Sequence, residues 1–300
     1  MNNFIEYFYG IKLEKVMYNE KYYSFIHNNY IYRLYVYDDS LDINTIYDIN
    51  RNVLKFTLMG EIILNKDNQI ISRYNGISYV LIKFFVNINK PISLNEISLL
   101  ADTIYYDNKK NVDWGKLWSN KIDYLESLIN ENGKKYPLIV DSFNYFVGMA
   151  ENAISYFNSI ELKYDYKFVI SHRIIRWNDS IDVIYNPLNI ILDYRIRDVS
   201  EYIKNSFFNN NRNIFNELYA YLDYHNLSLT EVKLLISRLL YPSFYFDLYE
   251  DILIDNREEK IIIEVISRLE QYEAYLFNVI SFFKSRYDVD EIAWLKNTSK

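Results

Sequence analysis

The sequence predicts an α+β protein with two unequal lobes: a small antiparallel β-sheet lobe over residues 1–86 and a larger helical lobe over 87–300. Three observations carry this. Short Tyr-, Ile- and Val-rich runs separated by turn residues dominate the first 86 residues. From Ser93 onward the apolar residues fall at helical spacing. Half of the chain is hydrophobic and only 6 Gly and 4 Pro occur among 300 residues, so a large core is available and little coil is expected.

In the first lobe, residues 22–26 and 30–37 read as strands joined by a turn at Asn28-Asn29. Ser40 to Asp42 offers an N-cap, and Ile43, Ile46, Ile49, Val53 and Phe56 follow at helical spacing up to Gly60. Segments 61–64 and 69–73 read as strands around the turn Lys66-Asp67-Asn68, and Ile77 to Val86 is a near-continuous apolar strand. In the second lobe, Ser93 and Glu96 make a capping-box pattern. Helices are expected over 114–132, with Trp118, Ile122, Leu125 and Ile129 on one face, and over 138–158, with Val140, Phe143, Val147, Ala150, Ile154 and Phe157 on one face. A β-and-turn island with strands KFVI, DVIY and IIL interrupts them at 168–198. Helices resume at Asp198, read as an N-cap with Arg197 in an ion pair, and end in one long helix from Ile262 to Phe283.

Composition excludes several classes of function. The net charge is −7 and the pI about 5.2, without the basic footprint that nucleic acid demands. No cysteine is present, which removes disulfides, thiolate metal sites and a Cys nucleophile. No apolar run reaches the ~18 residues of a membrane span, and the start lacks the basic and apolar regions of a signal peptide. The 32 tyrosines fit either an AT-rich coding bias or a tyrosine-rich assembly surface.

A small sheet lobe, a hydrophobic crossing strand and helices around a loop is the protein-kinase-like layout. Such a site needs a Gly-rich loop, a strand Lys held by a helix Glu, an Asp proton acceptor with a metal-binding Asn, and a second Asp for Mg²⁺. Gly10 is the only glycine before Gly60, so no Gly-rich loop exists. Arg33 stands where the strand Lys is expected, with Asp48 the nearest substitute for the helix Glu. These two are the candidate nucleotide-binding residues. In Ser171-His172-Arg173-Ile174 the pattern H-R-D is broken by Ile174 at the proton-acceptor position. Asp179, beside Asn178, falls at the Asn position. His172 reads as a general base or as a hydrogen-bonded scaffold residue. Asp193 ends the apolar run NIILD; it reads as a metal-holding Asp or as a turn residue capping Arg195 or a helix. ATP and Mg²⁺ are therefore expected to bind weakly if they bind.

Several segments together resemble the spore-coat kinase-like proteins of endospore-forming Firmicutes, the CotS-related group and particularly its YutH branch. They are Tyr9-Gly10-Ile11, VDWGKLWSNKIDYL at 112–125, FNYFVGMAENAI at 143–154, Ser171-His172-Arg173, LDYRIRDVSEY at 192–202 and RLLYPSFYFD at 238–247. The resemblance implies an aminoglycoside-phosphotransferase-like kinase fold, synthesis in the mother cell during sporulation, and association with the spore coat and its other proteins. Two functions are carried forward: a catalytically degenerate pseudokinase acting as a binding or scaffold component, and a working phosphotransferase that uses Asp179 or Asp193 unconventionally. A helical protein without kinase ancestry is the third possibility.

Overall fold

The computed structural model describes residues 1–19, 21–85, 90–107, 112–162, 167–254 and 257–295. The chain divides into two compact units. The first comprises Met1–Tyr106, Val169–Ile175 and Asp179–Leu192, and the second Asp107–Phe168, Arg176–Asn178 and Asp193–Lys300. The lobe boundary expected at 86–87, and Val86 itself, lie outside the described residues.

The first unit opens with α1 (Asn2–Tyr9), β1 (Met17–Asn19), β2 (Tyr22–His27), β3 (Tyr30–Val36), α2 (Ile43–Val53), β4 (Glu61–Ile63), β5 (Ser72–Tyr74) and β6 (Ile77–Phe84). The strands form one antiparallel sheet in the order β1-β2-β3-β6-β4, with β5 also paired to β6. The turns of the β2–β3 and β5–β6 hairpins use residues that tolerate positive φ: Asn28 and Asn29 at 50° and 65°, Asn75 and Gly76 at 50° and 76°. Val80, Leu81 and Ile82 in β6 are fully buried, as expected for a central strand covered on both faces. Phe4 and Ile5 of α1 pack on one face with Phe25, Leu34 and Leu81. Ile43 and Ile46 of α2 pack on the other with Ile62, Val80 and Ile82. Each such side chain contributes about 1.5–3 kcal/mol on burial. Asp42 caps α2 by accepting from Thr45 N at 3.2 Å. The helix ends before Phe56, which is exposed rather than part of its apolar face.

The unit continues with α3 (Leu94–Ala101), capped by Ser93, whose Oγ accepts from Glu96 N at 3.3 Å and donates to Glu96 Oε2 at 2.8 Å. A second sheet has the order β7-β8-β9, from β7 (Tyr105–Asp107), β8 (Lys167–His172) and β9 (Ile190–Asp193). The expected strand DVIY is instead a 3-10 turn at Ile181–Val183 and the residues after it. Ile170, Ile175, Ile181, Ile184 and Ile190 pack with Ile49, Val53 and Leu100 into one core. The stretches of the 168–198 island that belong to this unit are thereby part of its core.

The second unit is helical: α4 (Trp114–Asn132), α5 (Pro137–Asn158), α6 (Ile196–Phe208), α7 (Ile214–Tyr224), α8 (Leu229–Leu240), α9 (Ser243–Leu253), α10 (Ile263–Ser267) and α11 (Leu269–Lys284). The buried stripe of α5 runs through Ile139, Phe143, Phe146, Met149, Ala150, Ala153 and Phe157. Phe143, Ala150 and Phe157 are buried as expected, but Val140 is exposed and Val147 and Ile154 are only half-buried. The face is rotated because Phe146 stacks on Tyr245, with ring centroids 3.7 Å apart. Helix α6 begins two residues before Asp198, which lies in its first turn instead of capping it. The long C-terminal helix is broken at Arg268 between α10 and α11.

Candidate functional site

In the first unit, Arg33 extends from β3 on the face that carries Val80, Ile82 and Phe84. Its guanidinium lies 4.6 Å from the Tyr22 ring centroid and 4.8 Å from that of Phe84. Nη1 donates to Asp182 Oδ2 at 2.5 Å. Burial opposes the charge, but Tyr35 and Asp182 outweigh it and hold the pKa above its ordinary value. The ion-pair partner is therefore Asp182, not Asp48, which is exposed on α2. The inward polar residue of α2 is Asn50, which donates to Gly60 O at 2.7 Å and accepts from Ile62 N at 3.1 Å.

The loop after β8 is braced by backbone contacts. The buried His172 donates from Nε2 to Ile184 O at 2.9 Å. Arg173 and Ile174 are exposed. Asn189 clasps Ile174 from both sides, accepting from its N at 3.3 Å and donating to its O at 2.9 Å. Ile174 therefore presents an aliphatic side chain from a fixed backbone. Asp179 is partly exposed. Among the described residues, no group of three or more His, Cys, Asp or Glu side chains is arranged to hold a metal ion.

In the second unit, Asp193 is 2% exposed and its carboxylate is surrounded by N–H donors. Trp114 Nε1 lies 3.2 and 3.1 Å from its two oxygens. Tyr194 N donates to Oδ1 at 2.8 Å, and Arg197 Nη1 to Oδ2 at 2.7 Å. Trp114 is fully buried, with the Arg238 guanidinium 5.0 Å from its ring centroid. Asp113 positions it by capping α4 through Lys116 N at 2.9 Å. One turn along α6, Glu201 meets Lys204 and Arg238, each at 2.9 Å, and accepts from Ser243 Oγ at 2.9 Å. Lys204 also donates to Arg238 O, Tyr241 O and Ser243 Oγ at 3.2, 3.1 and 2.6 Å. Burial alone would raise the Glu201 pKa, but Lys204 and Arg238 overcome it and hold the carboxyl at about 2. Burial draws Lys204 down to about 8 despite the Glu201 charge.

A family model described as "Spore coat putative kinase YutH" matches residues 2–279. The chain belongs to this family. It is 24% identical over 270 residues to the endospore coat-associated protein YutH of Bacillus subtilis (strain 168), covering 78% of each chain. An aminoglycoside phosphotransferase from Alicyclobacillus acidocaldarius shares the fold with a TM-score of 0.63 at 11% identity, over 92% of this chain and 93% of that one. The spectinomycin phosphotransferase APH(9)-Ia in its AMP-bound complex does so with a TM-score of 0.57 at 14% identity, over 100% and 98%. The fold of this YutH-family chain is thus the kinase-like one that the layout and the ordered motifs led us to expect.

Sequence reasoning missed Trp114, Asp182, Asn189 and the Glu201–Lys204–Arg238 cluster. Only Glu201 and Lys204 carried a local signal, an i,i+3 charge pair, which ordinarily marks an exposed helix face. A further acidic group of the YutH-family chain lies on α9. Asp251 pairs with Arg176 at 2.8 Å and with Arg257 at 3.4 Å, and Glu250 pairs with Lys121. Asp247 is partly exposed, yet desolvation outweighs Arg176 and Lys121 and pushes its carboxyl up to about 6. Between its ordinary value of 3.8 and about 6 the folded chain holds the extra proton, so this group's contribution to stability falls as pH rises through that window. Asp247→Asn is expected to stabilise the protein by about 1–2 kcal/mol at neutral pH, after discounting for solvent screening, and by nothing near pH 4. Melting temperatures of both proteins at the two pH values check this; an equal difference at both would refute it.

Proposed function

We propose that this chain is a catalytically degenerate kinase-fold protein that acts as a binding or scaffold component of the spore coat, made in the mother cell during sporulation. The observation that supports it best is the state of Asp193. A metal-holding aspartate must offer oxygen lone pairs to a hard cation that prefers an octahedral oxygen shell. Here four N–H···O contacts from Trp114, Tyr194 and Arg197 occupy a buried carboxylate, and the Arg197 cation already neutralises it. This donor set does not fit a magnesium-bound nucleotide. Ile174 supplies no proton acceptor, and a lost general base typically costs about 10²–10⁴-fold. Arg33, bound to Asp182 between two rings, is likewise engaged within its own unit. The coat assignment draws on family membership and on the B. subtilis relative being endospore coat-associated.

The test has two arms. A radiolabelled-ATP transfer assay on wild type beside Asp179→Ala and Asp193→Ala is expected to show no turnover in any of the three. Turnover in the wild type that either substitution abolishes would establish the working phosphotransferase instead. A fluorescent fusion in sporulating cells is expected to collect at the spore periphery, and diffuse mother-cell fluorescence would remove the coat assignment.

A further inference from the structure

Two Asn-Gly pairs occur in the chain, Asn75-Gly76 and Asn132-Gly133. This dipeptide readily loses ammonia, because glycine has no Cβ to keep its own nitrogen from the neighbouring carboxamide. The structure treats the two pairs differently. Gly133 ends α4 with helical backbone, is buried, and donates its N–H to Ile129 O. The nitrogen that would attack is engaged there.

Asn75 and Gly76 are both exposed. They form the β5–β6 turn between the paired Tyr74 and Ile77, at φ 50° and 76°. Among the described residues, nothing hydrogen-bonds Gly76 N or the Asn75 carboxamide. Apart from its chain neighbours, no atom lies within 4 Å of where a Cβ on Gly76 would sit. The rotation that brings nitrogen and carboxamide together therefore meets no other group, and only the strand pairing resists it. Strand β5 has 3 residues, so this end of the hairpin opens locally at little cost.

We infer that Asn75 is a site of spontaneous modification, at which the chain converts its own turn to isoaspartate with water as the only co-reactant. Gly76 N attacks Asn75 Cγ and gives up its proton. The Cγ–Nδ2 bond breaks, ammonia leaves, and a succinimide ring closes. Water then opens the ring. Attack at the side-chain carbonyl gives aspartate. Attack at the main-chain carbonyl leaves the peptide running through Cγ, with the former main-chain carbon as the carboxylate. Both products carry a new negative charge. The second also lengthens the backbone of a tight turn, which can then no longer hold Tyr74 opposite Ile77. Helix α1 rests on the strand so released: the Tyr74 and Phe4 ring centroids are 5.8 Å apart, and Ser72 Oγ donates to Tyr9 Oη at 3.0 Å.

Ageing the purified, folded chain at mildly alkaline pH, in water labelled with heavy oxygen, tests this. Trypsin releases residues 74–83, YNGISYVLIK, in which Asn75 is the single side-chain amide, and residues 122–134 with the other pair. The first peptide is expected to split into aspartate and isoaspartate forms that carry the heavy oxygen. It should do so at least about tenfold faster than the second, since each ~1.4 kcal/mol of extra opening cost slows a site by that factor. A protein isoaspartate methyltransferase is expected to methylate the aged chain. Asn75→Gly keeps a Gly-Gly turn of the same type and is expected to abolish both the new forms and the methylation. Hydrogen exchange at residues 72–74 should quicken in aged wild type and not in aged Asn75→Gly. Peptide 74–83 staying intact in the folded chain while the same synthetic peptide converts would overturn the proposal. So would equal rates at the two pairs, methylation that persists in Asn75→Gly, or exchange at 72–74 that ageing leaves unchanged.

Discussion

Glu201→Gln is expected to destabilise the second unit by about 3–5 kcal/mol, the usual cost of removing one partner from a buried ion pair. Lys204 and Arg238 would keep their places beside a neutral amide, with Lys204 having almost no access to water. All four tryptophans, at 114, 118, 177 and 294, belong to the second unit, so the midpoint of urea unfolding followed by tryptophan fluorescence reports on that unit. The pH dependence makes the prediction sharper. Glu201 has an ordinary value of 4.5 and is held at about 2 in the folded chain. Between those values the unfolded chain binds the proton and the folded chain does not, so stability rises with pH there. The contribution is complete above about pH 4.5 and disappears as pH falls toward 2. Wild type should therefore lose about 3 kcal/mol more than the variant across that window. A variant with the same acid limb as wild type would show that Glu201 is not the group responsible.

What could be read from the sequence was whatever has a local cause. Asp42 and Ser93 announce helix starts because a capping side chain bonds a backbone N–H only two or three residues away. Asn28-Asn29 announces a hairpin because few residues accept positive φ. The family was legible because six short motifs keep their order along most of the chain. Helix α1 was not legible: its apolar residues are aromatic or β-branched, and Phe4, Ile5 and Phe8 resemble the strand composition that follows. The burial of α5 was misjudged by a fraction of a turn, since which of several apolar stripes faces inward depends on the partner, here Tyr245.

The candidate site divides in the same way. Ile174 and the missing glycines are visible as letters. The pairing of Arg33 with Asp182, 149 residues away, and the contact of Asp193 with Trp114, 79 residues away, are not, although Tyr194 and Arg197 lie beside Asp193 in sequence. Asp48 holds a suggestive position in the helix after the strand, but α2 turns it to solvent and buries Asn50 instead. Sequence spacing can propose which residue occupies a catalytic position. It cannot say whether that residue's hydrogen-bonding capacity is still available.

Asp193→Ala is expected to cost about 3–5 kcal/mol, because it removes the carboxylate from a largely buried ion pair with Arg197 and takes away the acceptor of Trp114 Nε1. A carboxylate kept for a metal behaves in the opposite way: functional charges of that kind are held at the expense of stability, and removing one from the metal-free protein is neutral or stabilising. The sign of the change in urea midpoint therefore separates an internal latch from a metal ligand. Replacing both partners, Asp193→Leu with Arg197→Leu, should recover most of the loss, since an apolar pair of similar volume often matches a buried ion pair. The indole of Trp114 provides a second readout. Loss of its hydrogen bond is expected to change the tryptophan emission of Asp193→Ala at native concentrations of urea, while Mg²⁺ with ATP leaves wild-type emission unchanged. A stabilised Asp193→Ala, or a wild-type emission that responds to Mg²⁺ and ATP, would mean that the Arg197 contact opens to admit a cation.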